Sequence, residues 1–351
     1  MAASALGGCS TVGYYWQSVS GHMQMVNAAR PVSDVLLDPQ TPDALNRQLV
    51  LSQRIRSFAV KELKLPDNAS YHRYTDLHRS AVVWNVVVAP EFSLTLKTWC
   101  FPVAGCIGYR GFFSEVDARA EADRQKVEGL EVNVYAVPAY STLGWMNWAG
   151  GDPLLNAFIN YPEGELARLI FHELAHQVVY ASGDTTFNES FATTVERLGS
   201  QRWLATQAGD AARQSYETFD QRRQGFKALL LSTHRELQAI YEPKEAEIPY
   251  LRTQAATKSI AKQEAMQRFR DSYALLKTSW GGFSGYDMWV ASANNAAFGA
   301  QAAYDDLAPG FVALFEREGR DYKRFYDAAT RLSKSPKEER QQALKTNSSE
   351  K

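Results

Sequence analysis

Apolar positions in the first half of the chain follow a helical spacing at first and a strand-like spacing afterwards. Behind the start signal TPD, a predicted helix carries one apolar stripe formed by Leu45, Leu49, Ile55 and Phe58. Two runs rich in β-branched and aromatic residues, AVVWNVVVAP and FSLTLKTWCFP, predict strands, and YRGFF predicts a short edge strand. A polar-faced helix over SEVDARAEADRQKVEG and an alternating strand in EVNVYAVPAYSTL follow. This half therefore predicts a small mixed sheet with helices.

Helical periodicity dominates after proline and glycine interrupt the chain at GGDP. Helices are predicted over 163–181 and 189–204. Two long polar helical stretches, together spanning about 207–278, predict an extended antiparallel hairpin with solvated charged faces. We therefore expect an α+β fold, with a small mixed sheet and a predominantly helical C-terminal part. The predicted organisation is an N-terminal tether over 1–30 and one domain over 31–351.

Composition narrows the class of protein. The chain has 351 residues, of which 45% are hydrophobic and 12% aromatic, which is typical of a well-packed globular protein. The formal net charge of −1 gives no polyanion-binding surface, so nucleic acid is not an expected partner. No run reaches the roughly 18 apolar residues that a membrane span needs. Membrane contact is therefore expected only through an N-terminal lipid anchor.

The lipid anchor is suggested by the segment Leu6-Gly7-Gly8-Cys9, which resembles a bacterial lipobox. Only eight residues without a positive charge precede Cys9, whereas a signal peptide has a charged start and an apolar run of about 7–15 residues. Either the start is truncated or re-engineered, or the match is accidental. If Cys9 is lipidated, Ser10 after it predicts the outer membrane, on the periplasmic side of the cell envelope.

Two further cysteines, Cys100 and Cys106, lie in WCFPVAGCIGYRGFF. In an exported protein they would close a small disulfide loop, and otherwise they are free buried thiols. Their spacing is not that of a zinc ribbon.

The segment FHELAHQVVYASGDTTFNESFA contains the candidate chemistry. His172 and His176 are four residues apart, so a helix places both imidazoles on one face, where they can bind one ion. Glu173 is positioned to take a proton from the attacking water and to return it to a leaving amine. The alternative interpretation is an amphipathic helix with two core histidines and salt-bridged glutamates.

A hydrolytic zinc site usually has three protein ligands, so a third donor should follow downstream. Glu189 lies thirteen positions after His176, behind a turn, and a short connection between two antiparallel helices would bring it opposite the histidines. Glu196, one heptad later on the same face, is a candidate partner for a ligating histidine, and Asp184 is the other.

HELAH followed by NESFA resembles the gluzincin metallopeptidases, whose second helix supplies a glutamate as the third zinc ligand. The resemblance implies a zincin-like fold, Zn²⁺ as cofactor, a peptide substrate and Glu189 as that ligand. The chain resembles more closely a bacterial family of zinc lipoproteins described as "predicted aminopeptidase". Its landmarks cover nearly the whole chain: the lipobox with YYWQSVSGH, CFPVAGCIGYRGFF, YSTLGW, DPLL, LIFHELAHQ, FNESFA and NNAAF.

Hydrolysis also needs a donor for the oxyanion, which in gluzincins is often a distant tyrosine or histidine. Tyr286, Tyr304 and Tyr109 are candidates, although each of the seventeen tyrosines is more often a core or surface aromatic.

Peptide substrates of zincins commonly lie along a sheet edge, and the glycines of GYRGFF allow close backbone approach. Substrate is therefore expected at Tyr109, Arg110 and Gly111. An aminopeptidase also needs a carboxylate for the free α-amine, and the sequence does not select one from the candidates Glu115, Asp117 and Asp152.

The leading hypothesis is a zinc-dependent aminopeptidase. One alternative is an endopeptidase or amidase acting on cell-wall peptides. Another is a non-catalytic envelope lipoprotein that binds a partner through the helical hairpin, against which the intact Glu173 argues, because a binding protein needs no general base.

Overall fold

The fold was determined as a computed structural model, which describes residues 6–101, 105–139, 141–242, 255–302 and 307–349. The helices and strands alternate in the first half, and helices follow one another in the second. In chain order the elements are α1 (Leu6–Asn27), β1 (Arg30–Pro31), α2 (Val32–Leu37), α3 (Asp43–Lys61), β2 (Arg73–Thr75), β3 (Val83–Ala89), β4 (Trp99–Phe101), β5 (Gly105–Ile107), β6 (Arg110–Phe112), α4 (Glu115–Val127), β7 (Glu131–Val137), β8 (Leu154–Leu155), α5 (Glu163–Ala175), α6 (Thr185–Thr206), α7 (Asp210–Tyr241), α8 (Ala255–Ser279), α9 (Asp287–Ser292), α10 (Asn295–Ala302), α11 (Ala308–Arg317), α12 (Tyr322–Ser333) and α13 (Lys337–Ser349).

The central sheet has the strand order β6-β3-β7 and is antiparallel throughout. Because side chains alternate along a strand, its two faces bury different residues. Val86 and Val88 pack with Ala118 of α4 on one face. Val87 packs with Ala296 of α10 on the other. The β-branched run of β3 is therefore buried on both sides. Two smaller sheets, β1-β2-β8 and β4-β5, lie outside it.

Helices α5 and α6 form the centre of the largest core. Leu166, Ile170 and Leu174 recur at helical spacing on α5 and are fully buried. On α6, a Cβ at Gly199 would lie 2.6 Å from Leu63 Cδ1 and 2.9 Å from Phe171 Cδ2. Glycine at this position thus allows α6 to approach α5 closely.

The predicted hairpin region contains α7 and α8, which pack against each other around Phe226 and Phe269. An ion pair joins this unit to α5, because Arg223 of α7 contacts Glu165 at 2.8 Å. Among the described residues, no helix combines the length and apolar character needed to cross a bilayer.

Several element boundaries differ from the sequence expectations. The described part of the predicted tether is α1, whose Tyr14 packs on Phe112 with ring centroids 5.4 Å apart. In the described part of FSLTLKTWCFP, residues 92–101, the strand is limited to Trp99–Phe101, and Phe92 and Leu94 pack against the α7–α8 core. Helix α5 ends at Ala175, six residues before the expected end, and α6 begins at Thr185.

Candidate metal centre

Three donor side chains converge where the end of α5 meets the start of α6. The Nε2 atoms of His172 and His176 are 3.2 Å apart. Glu189 places one carboxylate oxygen 3.4 Å from His172 Nε2 and the other 3.7 Å from His176 Nε2. Ligands of a tetrahedral zinc ion with bonds of 2.0–2.1 Å lie about 3.3 Å from one another. The three donors therefore have the chemistry and the mutual spacing that a Zn²⁺ ion requires.

The loop between the two helices is closed by local hydrogen bonds that position Glu189. The Asn188 side chain accepts from Ala181 N at 2.7 Å and donates to Ala181 O at 2.9 Å. Asp184 caps α6 by accepting from Phe187 N. Gly183 adopts a φ of 74°, which glycine tolerates without strain. These contacts bring the first turns of α6 opposite the histidines.

Glu196 contacts His172 on the side of the imidazole away from the other donors, as the heptad spacing predicts. His172 Nδ1 donates to Glu196 at 2.9 Å, which leaves Nε2 directed at the other two donors. The other carboxylate oxygen of Glu196 accepts from Arg168, at 2.7 Å from Nη2. Glu196 is 2% exposed, so its carboxylate is shielded from water. The Nδ1 atom of His176 is buried and has no hydrogen-bond partner within the described ranges.

The buried charges around the donors favour a cation. Burial alone would lower the pKa of His172, but its bonds to Glu189 and Glu196 raise that pKa well above the ordinary value. Burial lowers the pKa of His176 to about 4, so its imidazole is neutral at pH 7. Three carboxylates, those of Glu173, Glu189 and Glu196, surround the donors, and Arg168 contacts Glu196 directly. A bound divalent ion would take the place of the His172 proton among these carboxylates.

Glu173 lies between two cavities that meet at the donors. Burial raises its pKa to about 7, His172 opposes this shift, and Glu189 and Asp152 add to it. A pKa near the working pH suits a group that both accepts and returns a proton. Both cavities are lined by His172, Glu173 and Glu189.

The two cavities differ in character. We call the first, of about 710 Å³, the cationic cavity, because α5, α6 and α7 line it with arginine and lysine side chains. We call the second, of about 460 Å³, the apolar cavity. Its walls come from α1, the central sheet and the β4–β5 hairpin, and they include Val83, Phe101, Ile107, Phe113, Val137 and Leu143.

The strand edge at which substrate was expected, around β6, contributes only some of its residues to this site. Tyr109 and Gly111 line the apolar cavity. Arg110 lies on the opposite face, where its guanidinium stacks over Tyr14 at 4.1 Å and pairs with Glu121 at 3.5 Å. The outer edge of β6 is also occupied, because Gln17 of α1 donates to Gly111 O and accepts from Phe113 N. Arg110 lines neither cavity, and its contact with substrate stays a prediction.

Asp184 has a different role from the one expected. It does not contact a ligating histidine. Its carboxylate accepts from Arg340 Nε at 2.8 Å in addition to capping α6, and it is 1% exposed. Asp184 thus attaches α13 to the start of α6.

The tyrosine candidates separate clearly. Tyr286 lines the cationic cavity but stacks on Phe226, with ring centroids 4.0 Å apart. Tyr304 lies outside the described residues. Tyr109 lines the apolar cavity together with the donors, and so does Tyr180, which was not among the sequence candidates. Burial raises the pKa of both phenols, and the charge of Glu189 adds to it. The available signal for Tyr180 was its proximity to His176 in the sequence.

The candidate carboxylates for an α-amine do not line either cavity. Glu115 and Asp117 lie in the first turn of α4, and Glu115 pairs with Arg119. Asp152 is buried at 3% exposure and accepts from Thr142 N at 3.1 Å. It therefore holds the loop that carries Leu143 in the wall of the apolar cavity.

The cysteines are placed as follows. Cys100 and Cys106 are joined by a disulfide that links β4 to β5, which confirms the disulfide alternative. Cys9 lies within α1, but its side chain is outside the described part, so its lipidation stays a prediction.

The fold and the site together describe a mixed α and β protein with a candidate hydrolytic centre between two cavities. Residues 13–344 match the family model described as "Putative aminopeptidase", so the chain belongs to this family. The family's description indicates a peptidase, a hydrolase of peptide bonds. No curated protein and no solved structure matches the chain.

Proposed function

We propose that the protein is a zinc-dependent aminopeptidase of the zincin type. The observation that carries this proposal is the convergence of His172, His176 and Glu189 at tetrahedral ligand spacing. When bound there, Zn²⁺ would polarise the scissile carbonyl and make a water molecule more acidic. The family's description supports the aminopeptidase class.

The residues around the donors supply the proton transfers. Glu173 opens onto both cavities, so its carboxylate can reach the attacking water and the leaving amine. It accepts the proton of the water as the carbonyl is attacked, and it donates that proton to the departing nitrogen. Glu196 keeps His172 oriented throughout, and Arg168 holds Glu196 in turn.

Tyr180 is our candidate donor to the oxyanion. It is half-buried in the apolar cavity and follows His176 in the chain, whereas Tyr109 packs in the cluster of α10 and the sheet. We expect Tyr180→Phe to lower kcat about a hundredfold with little change in KM, because a donor used in the transition state is lost. Steady-state kinetics measures this, with Tyr322→Phe as control, since Tyr322 packs on Phe315 in the C-terminal helices. An unchanged kcat in Tyr180→Phe would remove this role.

Blocked and unblocked peptides test the exopeptidase assignment. We expect the zinc-loaded protein to hydrolyse Leu-Ala-Ala amide and to leave its N-acetylated form intact. Liquid chromatography of the products measures both reactions. Equal hydrolysis of the two would favour the endopeptidase or amidase alternative over the aminopeptidase.

The lipid anchor at Cys9 and the periplasmic location stay predictions from the sequence. Mass spectrometry of the protein extracted from its native envelope tests them, because a diacylglyceryl group on Cys9 adds a defined mass.

A further inference from the structure

The cationic cavity and the apolar cavity reach the candidate metal centre from different sides, so one substrate can occupy both. The cationic cavity is lined by four basic side chains from three helices: Arg168, Arg197, Arg223 and Lys227. Within the described ranges, the apolar cavity has no arginine or lysine in its lining, and its acidic side chains are Glu173 and Glu189 of the centre. The two ends of a bound peptide therefore meet different charges.

Ion pairs hold two of the four basic side chains in place. Arg168 pairs with Glu196, and Arg223 forms a two-pronged contact with Glu165, at 2.8 and 2.9 Å. Arg197 and Lys227 are half-buried on α6 and α7. The acidic groups that line the same cavity are Glu173, Glu189 and Glu196 of the centre, so any cation bound by the donors makes the cavity more positive.

This charge distribution fixes the direction of the peptide. The centre's Glu173 and Glu189 line both cavities, whereas the four basic side chains line only the cationic one, so a protonated α-amine meets less repulsion in the apolar cavity. The first residue of the substrate then enters the apolar cavity, and the residues after the scissile bond enter the cationic one.

We propose that the cationic cavity binds a carboxylate of the substrate downstream of the scissile bond, so that the preferred substrates are short peptides with an apolar first residue and an anionic group behind it. Arginine and lysine recognise carboxylates by charge-assisted hydrogen bonds. The carboxylate can be an acidic side chain or the C-terminus of a short peptide. This inference rests on the proposed function, since it names the substrate class of that site.

Matched peptides test the proposal. Leu-Glu-Ala amide and Leu-Gln-Ala amide differ in one side-chain charge, and Leu-Ala-Ala with a free C-terminus or a C-terminal amide differs in the terminal charge. We expect kcat/KM for the charged member of at least one pair to exceed that of its neutral partner about tenfold. The pair that shows the preference identifies the source of the carboxylate.

Variants connect the preference to the cavity. Lys227→Gln and Arg197→Gln should each lower the charged-to-neutral ratio of kcat/KM at least threefold. Arg235→Gln is the control, because it removes a positive charge from the exposed face of the same helix as Lys227. If the wild-type protein is active but its charged-to-neutral ratio of kcat/KM is near one for both pairs, the inference is overturned and the peptidase proposal stands.

A binding measurement separates the two proposals. Calorimetric titration of Glu173→Gln protein with the same peptides reports the anion preference without turnover. If the Glu173→Gln protein binds the charged peptides more tightly but the wild-type protein hydrolyses none of them, the carboxylate site is retained and the peptidase proposal is rejected. Equal dissociation constants within both pairs would reject the carboxylate site whatever the activity.

Discussion

Replacing Glu173 by Gln should reduce kcat for peptide hydrolysis by about a thousandfold or more, while metal content and stability stay close to those of the wild type. The amide keeps the size of the side chain but cannot accept a proton from water, and general acid–base catalysis contributes typically 10²–10⁴-fold. Glu173 is not one of the three converging donors, so its loss should leave the ion bound.

Glu163→Gln is the matched control for this experiment. Glu163 lies in the first turn of the same helix and accepts from Trp203 Nε1 at 3.0 Å, a contact that a glutamine oxygen can keep. Its kcat should stay within about twofold of the wild type, since surface changes away from a site have small effects. A Glu173→Gln protein with substantial activity would show that another group acts as the base.

Glu196→Ala should be the most destabilising single change at the centre. It removes the carboxylate that contacts both Arg168 and His172, and it leaves a partly buried guanidinium without its main partner. We expect a loss of about 3 kcal/mol in the free energy of unfolding. Breaking a buried ion pair costs about 3–5 kcal/mol, and we expect the low end of this range because Arg168 still pairs with Glu165 at 3.6 Å. Zinc affinity should fall about 10–100-fold as His172 loses its orienting contact.

Urea unfolding of the metal-free protein measures the change in the free energy of unfolding. Competition with a chelator measures the change in zinc affinity. The control is Glu236→Ala, which removes an ion pair with Arg268 that is exposed on α7 and α8, and it should cost less than about 1 kcal/mol. If Glu196→Ala matches this control in both measurements, the buried charge chain does not support the centre.

Local periodicity explains why part of the site could be predicted from sequence. His172 and Glu173 lie in the last turn of α5 and His176 is its C-cap residue with helical backbone angles, so their spacing alone places the two imidazoles on one face. Glu196 follows Glu189 by two helical turns, and the structure places it against His172, as that spacing predicts.

Long-range contacts explain most of what could not be predicted. Asp184 binds Arg340, which is 156 residues away in the sequence, and no local pattern indicates that partner. Gln17 covers the outer edge of β6 from 94 residues away, which changes where substrate can lie. Tyr180 was missed for a different reason. Because α5 ends at Ala175, helical spacing no longer predicts the direction of a side chain five residues later.

Metal content, measured by elemental analysis on the purified wild-type chain and on His176→Ala, shows directly whether the three donors bind zinc. We expect near-stoichiometric zinc in the wild type and almost none in the variant, with both proteins folded by circular dichroism. A folded wild type that holds no zinc after incubation with Zn²⁺, or a variant that holds as much as the wild type, would contradict it.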